Sequence, residues 1–202
     1  MSRALAFPAG TVAHLPATTA GELADLRALE RAGARLALLA LPAAVEDSLY
    51  RYNNLPARLA RLYEGVDPFD PDEDLLEEAE GPALALVSEA YLLDDVIDAV
   101  YEALAGLPED LVVRRPGERE GVRAAGGRGV LLAFKALVKR DWHAGSVLAR
   151  LERHASVAVD AGPVIVHARD DAPDAALTRL AAETLGRRAT VHAHRGGVTG
   201  VL

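Results

Sequence analysis

The spacing of apolar residues at the start of the chain predicts a strand, a helix and a second strand. Leu23, Leu26 and Leu29 recur at helical spacing, so they predict one apolar face of an early helix. The near-continuous apolar run 35–41 is typical of a strand buried on both faces, as in parallel sheets. Residues 4–7 predict a short strand before the helix. We therefore expect an α/β fold with a mostly parallel sheet and flanking helices.

The same alternation continues to the end of the chain. A helix is predicted over residues 92–104, and a last helix is predicted to end at Leu185, before Gly186. Residues 115–129 are rich in Gly and Arg and are predicted to form a loop. Further strands are expected at 83–87, 111–113, 156–159, 164–168 and 189–194.

The start of the first helix carries a recognisable capping pattern. Thr19 and Glu22 have the spacing of a capping box, in which each side chain bonds a free backbone amide of the helix start. This predicts a helix that begins near residue 20.

Length and composition limit the organisation of the protein. The 202 residues suffice for one core, so we interpret 1–202 as a single compact unit, with lobes of about 1–155 and 156–202 as the alternative. The absence of cysteine excludes disulfides, zinc–thiolate sites and cysteine nucleophiles. No apolar run approaches about 18 residues and the start lacks a signal-peptide core, so we expect no membrane span and a bacterial, cytoplasmic protein.

Charge is distributed unevenly along the chain. Residues 62–113 contain 16 acidic side chains and no Lys or Arg, whereas residues 114–202 contain 15 basic and 9 acidic ones. The acidic segment disfavours binding to nucleic acid. It is either a solvated surface or an acidic face that pairs with the Arg-rich face of the same or a second subunit, as in a homodimer.

In this order of elements the chain resembles the DegV family of bacterial fatty-acid-binding proteins. The stretch LAFPAGTVAHLP, residues 5–16, is similar to the family's opening strand and its Asp-Ser-Thr-Ala-Asp-Leu-Pro loop. Leu39-Ala40-Leu41-Pro42 is similar to the end of its second strand, and His194-Arg195-Gly196 to its closing His-Thr-Gly-Pro-Gly turn. The resemblance implies a DegV-like fold and non-catalytic binding of a fatty acid, another lipid or a small apolar ligand, with no cofactor. It makes Thr11, His194 and Arg195 the polar ligand contacts.

The chain departs from the family where the ligand head group is expected. The acidic stretch 67–72 and Leu92-Leu93-Asp94-Asp95 stand where the family has hydroxyl-bearing segments. Carboxylates there would repel a fatty-acid head group. The chain is also short, which implies a reduced second lobe. We therefore expect a degenerate head-group site, and the alternative is a ligand-free interaction or structural protein that uses its acidic face.

Acidic, glycine-rich and histidine motifs suggest further chemistry. Asp94, Asp95 and Asp98 form a DDxxD pattern that could hold Mg²⁺ against a phosphate or diphosphate substrate, which makes a magnesium enzyme the second alternative to a solvated helix start. The Gly-rich stretch 126–129 could cradle a phosphate or be a flexible loop. His192 and His194 alternate on a predicted strand, with no third metal ligand evident. Since no GxSxG motif occurs, these patterns favour binding over catalysis.

Overall fold

The computed structural model of the protein describes residues 6–202. This part of the chain contains eight helices and seven strands. The helices are α1 Glu22–Arg31, α2 Ala43–Tyr52, α3 Leu55–Leu62, α4 Glu73–Glu89, α5 Asp94–Leu104, α6 Gly126–Arg140, α7 Ala144–His154 and α8 Ala175–Leu185. The strands are β1 Leu38–Leu41, β2 Asp110–Arg114, β3 Val122–Ala125, β4 Val164–Ala168, β5 Ala172–Pro173, β6 Val191–His194 and β7 Gly197–Val201. None of the helices in residues 6–202 has the length and apolar character needed to cross a membrane.

The strands form two small antiparallel sheets. The first has the order β1-β4-β2-β3, and every neighbouring pair in it is antiparallel, with Leu39 and Val113 both opposite Val166. The second has the order β5-β6-β7 and is also antiparallel. A parallel pairing occurs as an isolated bridge between Leu36 and Val198. The prediction of a mostly parallel sheet is therefore wrong, although the mixture of helices and strands is as expected.

The apolar run in β1 explains this error. All four residues of β1 and all five of β4 are buried, so β1 is a continuous apolar segment and β4 is apolar except for His167. Such a run reports burial on both faces of a sheet and does not report strand direction. After β1 the chain forms four helices before it returns to this sheet as β2, which pairs with β4 and not with β1.

Several local predictions also need correction. Residues 83–87 lie inside α4, where Leu76, Ala79, Ala83 and Val87 are buried at helical spacing. The predicted loop 115–129 contains β3 and the start of α6, and the predicted strand 156–159 is not formed. Residues 6 and 7 are not in a strand, and the rest of the predicted strand 4–7 lies outside the described residues. The end of the last helix at Leu185 is confirmed, with Gly186 at φ 66°.

The first compact unit contains both sheets. It comprises the chain up to Pro42, residues Asp94–Phe134 and residues Pro163–Leu202. Helices α1 and α8 pack against each other, and α1 also packs on β7. Apolar side chains from these helices and both sheets form its core, among them Leu23, Leu26, Leu29, Leu38, Ile165, Ala181, Val191 and Val198.

The second compact unit is helical. It comprises Ala43–Leu93 and Lys135–Gly162, so it contains α2, α3, α4 and α7. Trp142 stacks on Tyr63 with ring centroids 6.1 Å apart, and the Arg150 guanidinium lies 5.0 Å from the Trp142 ring centroid. Burial raises the pKa of Tyr63 above its ordinary value, and Arg150 partly opposes this. The interpretation of lobes at 1–155 and 156–202 stays a prediction.

Candidate functional site

A cleft of about 550 Å³ in the first unit brings the loop before α1 next to the β6–β7 turn. Its polar lining is supplied by Arg35, His194 and Arg195. Apolar side chains line it as well, among them Leu36, Leu107 and Pro108. The cleft therefore offers positive charge beside an apolar wall.

Glycine and left-handed backbone conformations shape both sides of the cleft. Gly10 has φ 76°, and its N–H donates to the Leu38 carbonyl at 2.7 Å, which ties the loop to β1. Arg195 and Gly196 have φ 48° and 73° and form the two-residue connection between β6 and β7. Two successive positive φ values are typical of the turn that joins twisted antiparallel strands. This turn leaves the Arg195 side chain exposed at the cleft.

Arg35 reaches the same cleft because β7 begins with a glycine. A Cβ at Gly197 would lie 2.6 Å from the Ala37 Cβ and 3.2 Å from the Arg35 Nε, so a larger residue would displace both. The Arg35 Nη2 lies 3.5 Å from the Arg195 carbonyl oxygen. The Arg35 side chain thus lies beside the backbone of Arg195, and both residues line the cleft.

His194 is oriented by an aspartate. Its Nδ1 lies 2.9 Å from Asp170 Oδ1, and its side chain is 11% exposed, against 78% for Asp170. A carboxylate only accepts hydrogen bonds, so Asp170 favours the tautomer of His194 that has the proton on Nδ1. The ring is therefore held in one orientation in the wall of the cleft.

The predicted ligand residues have different positions. His194 and Arg195 both line the cleft. Thr11 follows the lining residues Ala9 and Gly10 in the chain, but its Oγ1 accepts the Ala13 N–H at 3.1 Å and so stabilises a local turn. Sequence reasoning missed Arg35, which it assigned to an apolar strand.

The aspartates proposed for magnesium do not form a metal centre in the part of the chain that the structure describes. Asp94, Asp95 and Asp98 are exposed on the first half of α5. Within residues 6–202, no group of three or more His, Asp or Glu side chains could hold a metal ion. The geometry thus lends no support to the magnesium-enzyme alternative.

A buried ion pair that the sequence pattern concealed lies in the core of the same unit. Arg114 donates to both carboxylate oxygens of Glu22 at 2.6 Å, and both side chains are almost fully buried. Glu22 also accepts the N–H groups of Gly117, at 2.8 Å, and Val201, at 3.0 Å. The predicted capping box is therefore wrong. Gly21 is the N-cap of α1, and the Thr19 hydroxyl donates to the Pro16 carbonyl.

His167 extends this ion pair into a polar network. Its Nε2 accepts a hydrogen bond from Arg114 Nε at 3.2 Å, and its Nδ1 lies 2.8 Å from the Ala168 carbonyl oxygen. Burial and the adjacent Arg114 charge lower the pKa of His167 below its ordinary value, while Asp171 opposes them. A histidine inside the apolar run of β4 was the one sequence signal of this network.

Two consecutive aspartates connect the network and the cleft. Asp171 Oδ2 accepts a hydrogen bond from the buried Thr199 hydroxyl at 2.7 Å, and Asp171 Oδ1 lies 3.9 Å from His192 Nδ1. The preceding residue, Asp170, holds His194. The predicted pair His192 and His194 therefore faces a pair of aspartates, with a β-bulge between His192 and Ala193.

The glycine-rich stretch 126–129 begins α6 beside a second cleft of about 490 Å³. Gly127 lies under the Tyr101 ring, since a Cβ there would lie 2.6 Å from two ring carbons. The Gly126 N–H donates to the Glu109 carbonyl at 3.0 Å. Phosphate binding at this stretch stays a prediction.

Comparison of the chain with protein-family models, with curated proteins and with solved structures finds no match. The resemblance to the DegV family therefore stays a prediction, and so do the ligand and the site residues that it implies. The cleft of the first unit is therefore the candidate site on its geometry alone.

Proposed function

We propose that the protein is a non-catalytic binding protein for a small anionic molecule with an apolar part, held in the cleft at Arg35, His194 and Arg195. The observation that carries this proposal is the cleft itself, in which two guanidinium-bearing side chains stand beside an apolar wall. A fatty acid is the candidate ligand that the DegV resemblance adds. The proposal takes the chain as a cytoplasmic protein of a bacterium, as predicted from the sequence.

Both the charged and the apolar lining of the cleft are needed for useful affinity. A guanidinium can donate two parallel hydrogen bonds to one carboxylate, but exposed ion pairs contribute only about 0–1 kcal/mol each. Burial of apolar surface adds about 25 cal/mol per Å². An amphipathic anion gains from both contributions, whereas an inorganic anion gains from the charges alone.

The proposal is tested by calorimetric titration of the full chain with octanoate and with octanol. Octanoate should bind, and Arg35→Gln with Arg195→Asn should weaken its binding several-fold, up to about 30-fold, since each exposed ion pair contributes up to about 1 kcal/mol. Asparagine suits position 195 because it tolerates a positive φ. Arg188→Gln, an exposed arginine of the same unit that does not line the cleft, is the matched control.

Two results would reject this function. One is the absence of octanoate binding by the wild type. The other is an octanoate affinity that is equal in the wild type and in the double arginine variant. Native mass spectrometry of gently purified protein adds a separate observation, because a co-purified acyl ligand would identify the apolar part.

A second proposal is that the protein binds a basic partner, or a second copy of itself, through an acidic surface of the second unit. It is favoured by the exposure of the carboxylates on α4 and the segment before it, namely Glu64, Asp67, Asp70, Asp72, Glu73, Asp74, Glu77 and Glu78. Light scattering at 0.02 M and 0.5 M salt tests for self-association. A mass that is independent of salt, together with no partner in a pull-down, would reject this proposal.

A further inference from the structure

The orientation of His194 limits the kind of ligand that the cleft can take. Its Nδ1 faces Asp170 Oδ1 at 2.9 Å, and the imidazole is 11% exposed in the cleft wall. With the proton on Nδ1, the neutral ring leaves a lone pair on Nε2. Within residues 6–202, no hydrogen bond reaches this Nε2.

The other polar side chains of the cleft are hydrogen-bond donors and not acceptors. Arg35 and Arg195 carry guanidinium groups, which donate hydrogen bonds and cannot accept them. The cleft therefore presents cationic donors together with one neutral acceptor. A simple carboxylate satisfies the donors and leaves the acceptor with no partner from the ligand.

We infer that the ligand carries a hydroxyl group next to its anionic group, as in a hydroxycarboxylate. The carboxylate accepts hydrogen bonds from the arginines, and the hydroxyl donates to His194 Nε2. Asp170 acts as a positioning residue, because its carboxylate keeps the proton on Nδ1 and the lone pair on the other ring nitrogen. This inference rests on the proposed binding function and names the class of molecule that the site selects.

The magnitude of the selection follows from the cost of an unsatisfied polar group. A neutral hydrogen bond contributes about 0.5–1.5 kcal/mol, so the hydroxyl should improve affinity roughly 3- to 10-fold. A site built around a polar group also discriminates against analogues that leave that group unpaired.

The experiment is a set of calorimetric titrations at pH 8 with octanoate, 2-hydroxyoctanoate and 3-hydroxyoctanoate. For the wild type, we expect one of the hydroxyoctanoates to bind roughly 3- to 10-fold more tightly than octanoate. Asp170→Asn should keep this ratio, because the amide oxygen still accepts the Nδ1–H. Asp170→Ala should bring the ratio close to one. The ratio of the hydroxyoctanoate affinity to the octanoate affinity is compared, because loss of the Asp170 charge shifts the affinity of all three anions together.

The controls separate this inference from the proposed function. Asp98→Ala removes an exposed carboxylate that does not line the cleft, and it should leave the wild-type ratio unchanged. Equal binding of all three molecules by the wild type would overturn the hydroxyl selection and leave the proposed function standing. A ratio that survives Asp170→Ala would overturn the positioning role. Failure of all three molecules to bind would remove the proposed function and this inference together.

A spectroscopic readout tests the positioning role without any ligand. The ¹⁵N chemical shifts of the His194 ring at pH 8 should report a protonated Nδ1 in the wild type and in Asp170→Asn. In Asp170→Ala the ring should show a mixture of the two tautomers. A protonated Nε2 in the wild type would overturn the inference directly.

Discussion

At the scale of single residues, the buried His167 should make stability depend on pH. Burial and Arg114 lower its pKa in the folded protein, so the unfolded chain takes up a proton at a higher pH than the folded chain. The contribution of His167 to the free energy of unfolding is fully present above about pH 6.5, the ordinary pKa of histidine. It is lost as the pH falls from there towards the pKa of His167 in the folded protein. Between these two pKa values, the slope of the free energy of unfolding against pH should approach about 1.4 kcal/mol per pH unit for one proton.

Urea unfolding of the wild type and of His167→Gln between pH 5 and 8 measures this contribution. Glutamine can still accept the Arg114 Nε–H through its amide oxygen, and it does not titrate. The free energy of unfolding of the wild type should fall more steeply below pH 6.5 than that of the variant. Parallel curves for the two proteins would contradict the prediction.

The sequence indicated which residues have suitable side chains, but not which partners those side chains contact. The family resemblance implied His194 and Arg195 as ligand contacts; both line the cleft, and their contact with a ligand stays a prediction. Glu22 was misassigned because its capping-box spacing is also compatible with a partner 92 residues away. A local pattern cannot show which of two hydrogen-bond partners a buried carboxylate takes, because that choice depends on the tertiary fold.

At the scale of elements, the ion pair between Glu22 and Arg114 joins α1 to β2 and should be a major contribution to stability. Removal of one partner leaves a buried charge without compensation, which costs about 3–5 kcal/mol. Arg114→Met should therefore lower the free energy of unfolding by that amount. Glu22→Gln with Arg114→Met should cost less than the sum of the two single changes, as expected for residues in direct contact.

The matched control for this pair is an exposed one in the same unit. Arg169 Nη1 lies 3.2 Å from Asp110 Oδ2, with the two side chains 44% and 64% exposed. Arg169→Met should cost less than about 1 kcal/mol, because water already screens this pair. If Arg114→Met and Arg169→Met lower the free energy of unfolding equally in urea titrations, burial does not increase the contribution of the Arg114 ion pair to stability.

Elements themselves could be predicted better than their arrangement. The last helix, its closing glycine and β6 follow from local spacing and backbone preference, and they were found. The antiparallel pairing of β1, β4 and β2 joins strands that are far apart in sequence, and an apolar run is compatible with either direction. The apolar run 83–87 is short enough to suit a strand or a helix. It is helical because Ala83 and Val87 continue the buried face that begins with Leu76 and Ala79.

At the scale of the whole molecule, the charge distribution should make stability increase with salt. The protein carries a net charge of −8, and residues 62–113 hold 16 carboxylates without one Lys or Arg. On α4, Glu73 and Glu77, like Asp74 and Glu78, are like charges one helical turn apart, and all four are exposed. Their repulsion is present in the folded chain, where the carboxylates are held close together, and is weaker in an extended one.

Salt between 0.01 M and 0.2 M shortens the screening length from about 30 Å to below 10 Å and should therefore raise the urea midpoint. Glu77→Gln with Glu78→Gln should raise the midpoint at low salt and reduce its salt dependence. Glu152→Gln with Glu183→Gln removes the same charge from the more basic part of the chain, so it should change the salt dependence less. A midpoint that falls as salt increases would mean that attractive pairs, such as the one between Arg187 and Asp25, outweigh the repulsion along the acidic segment.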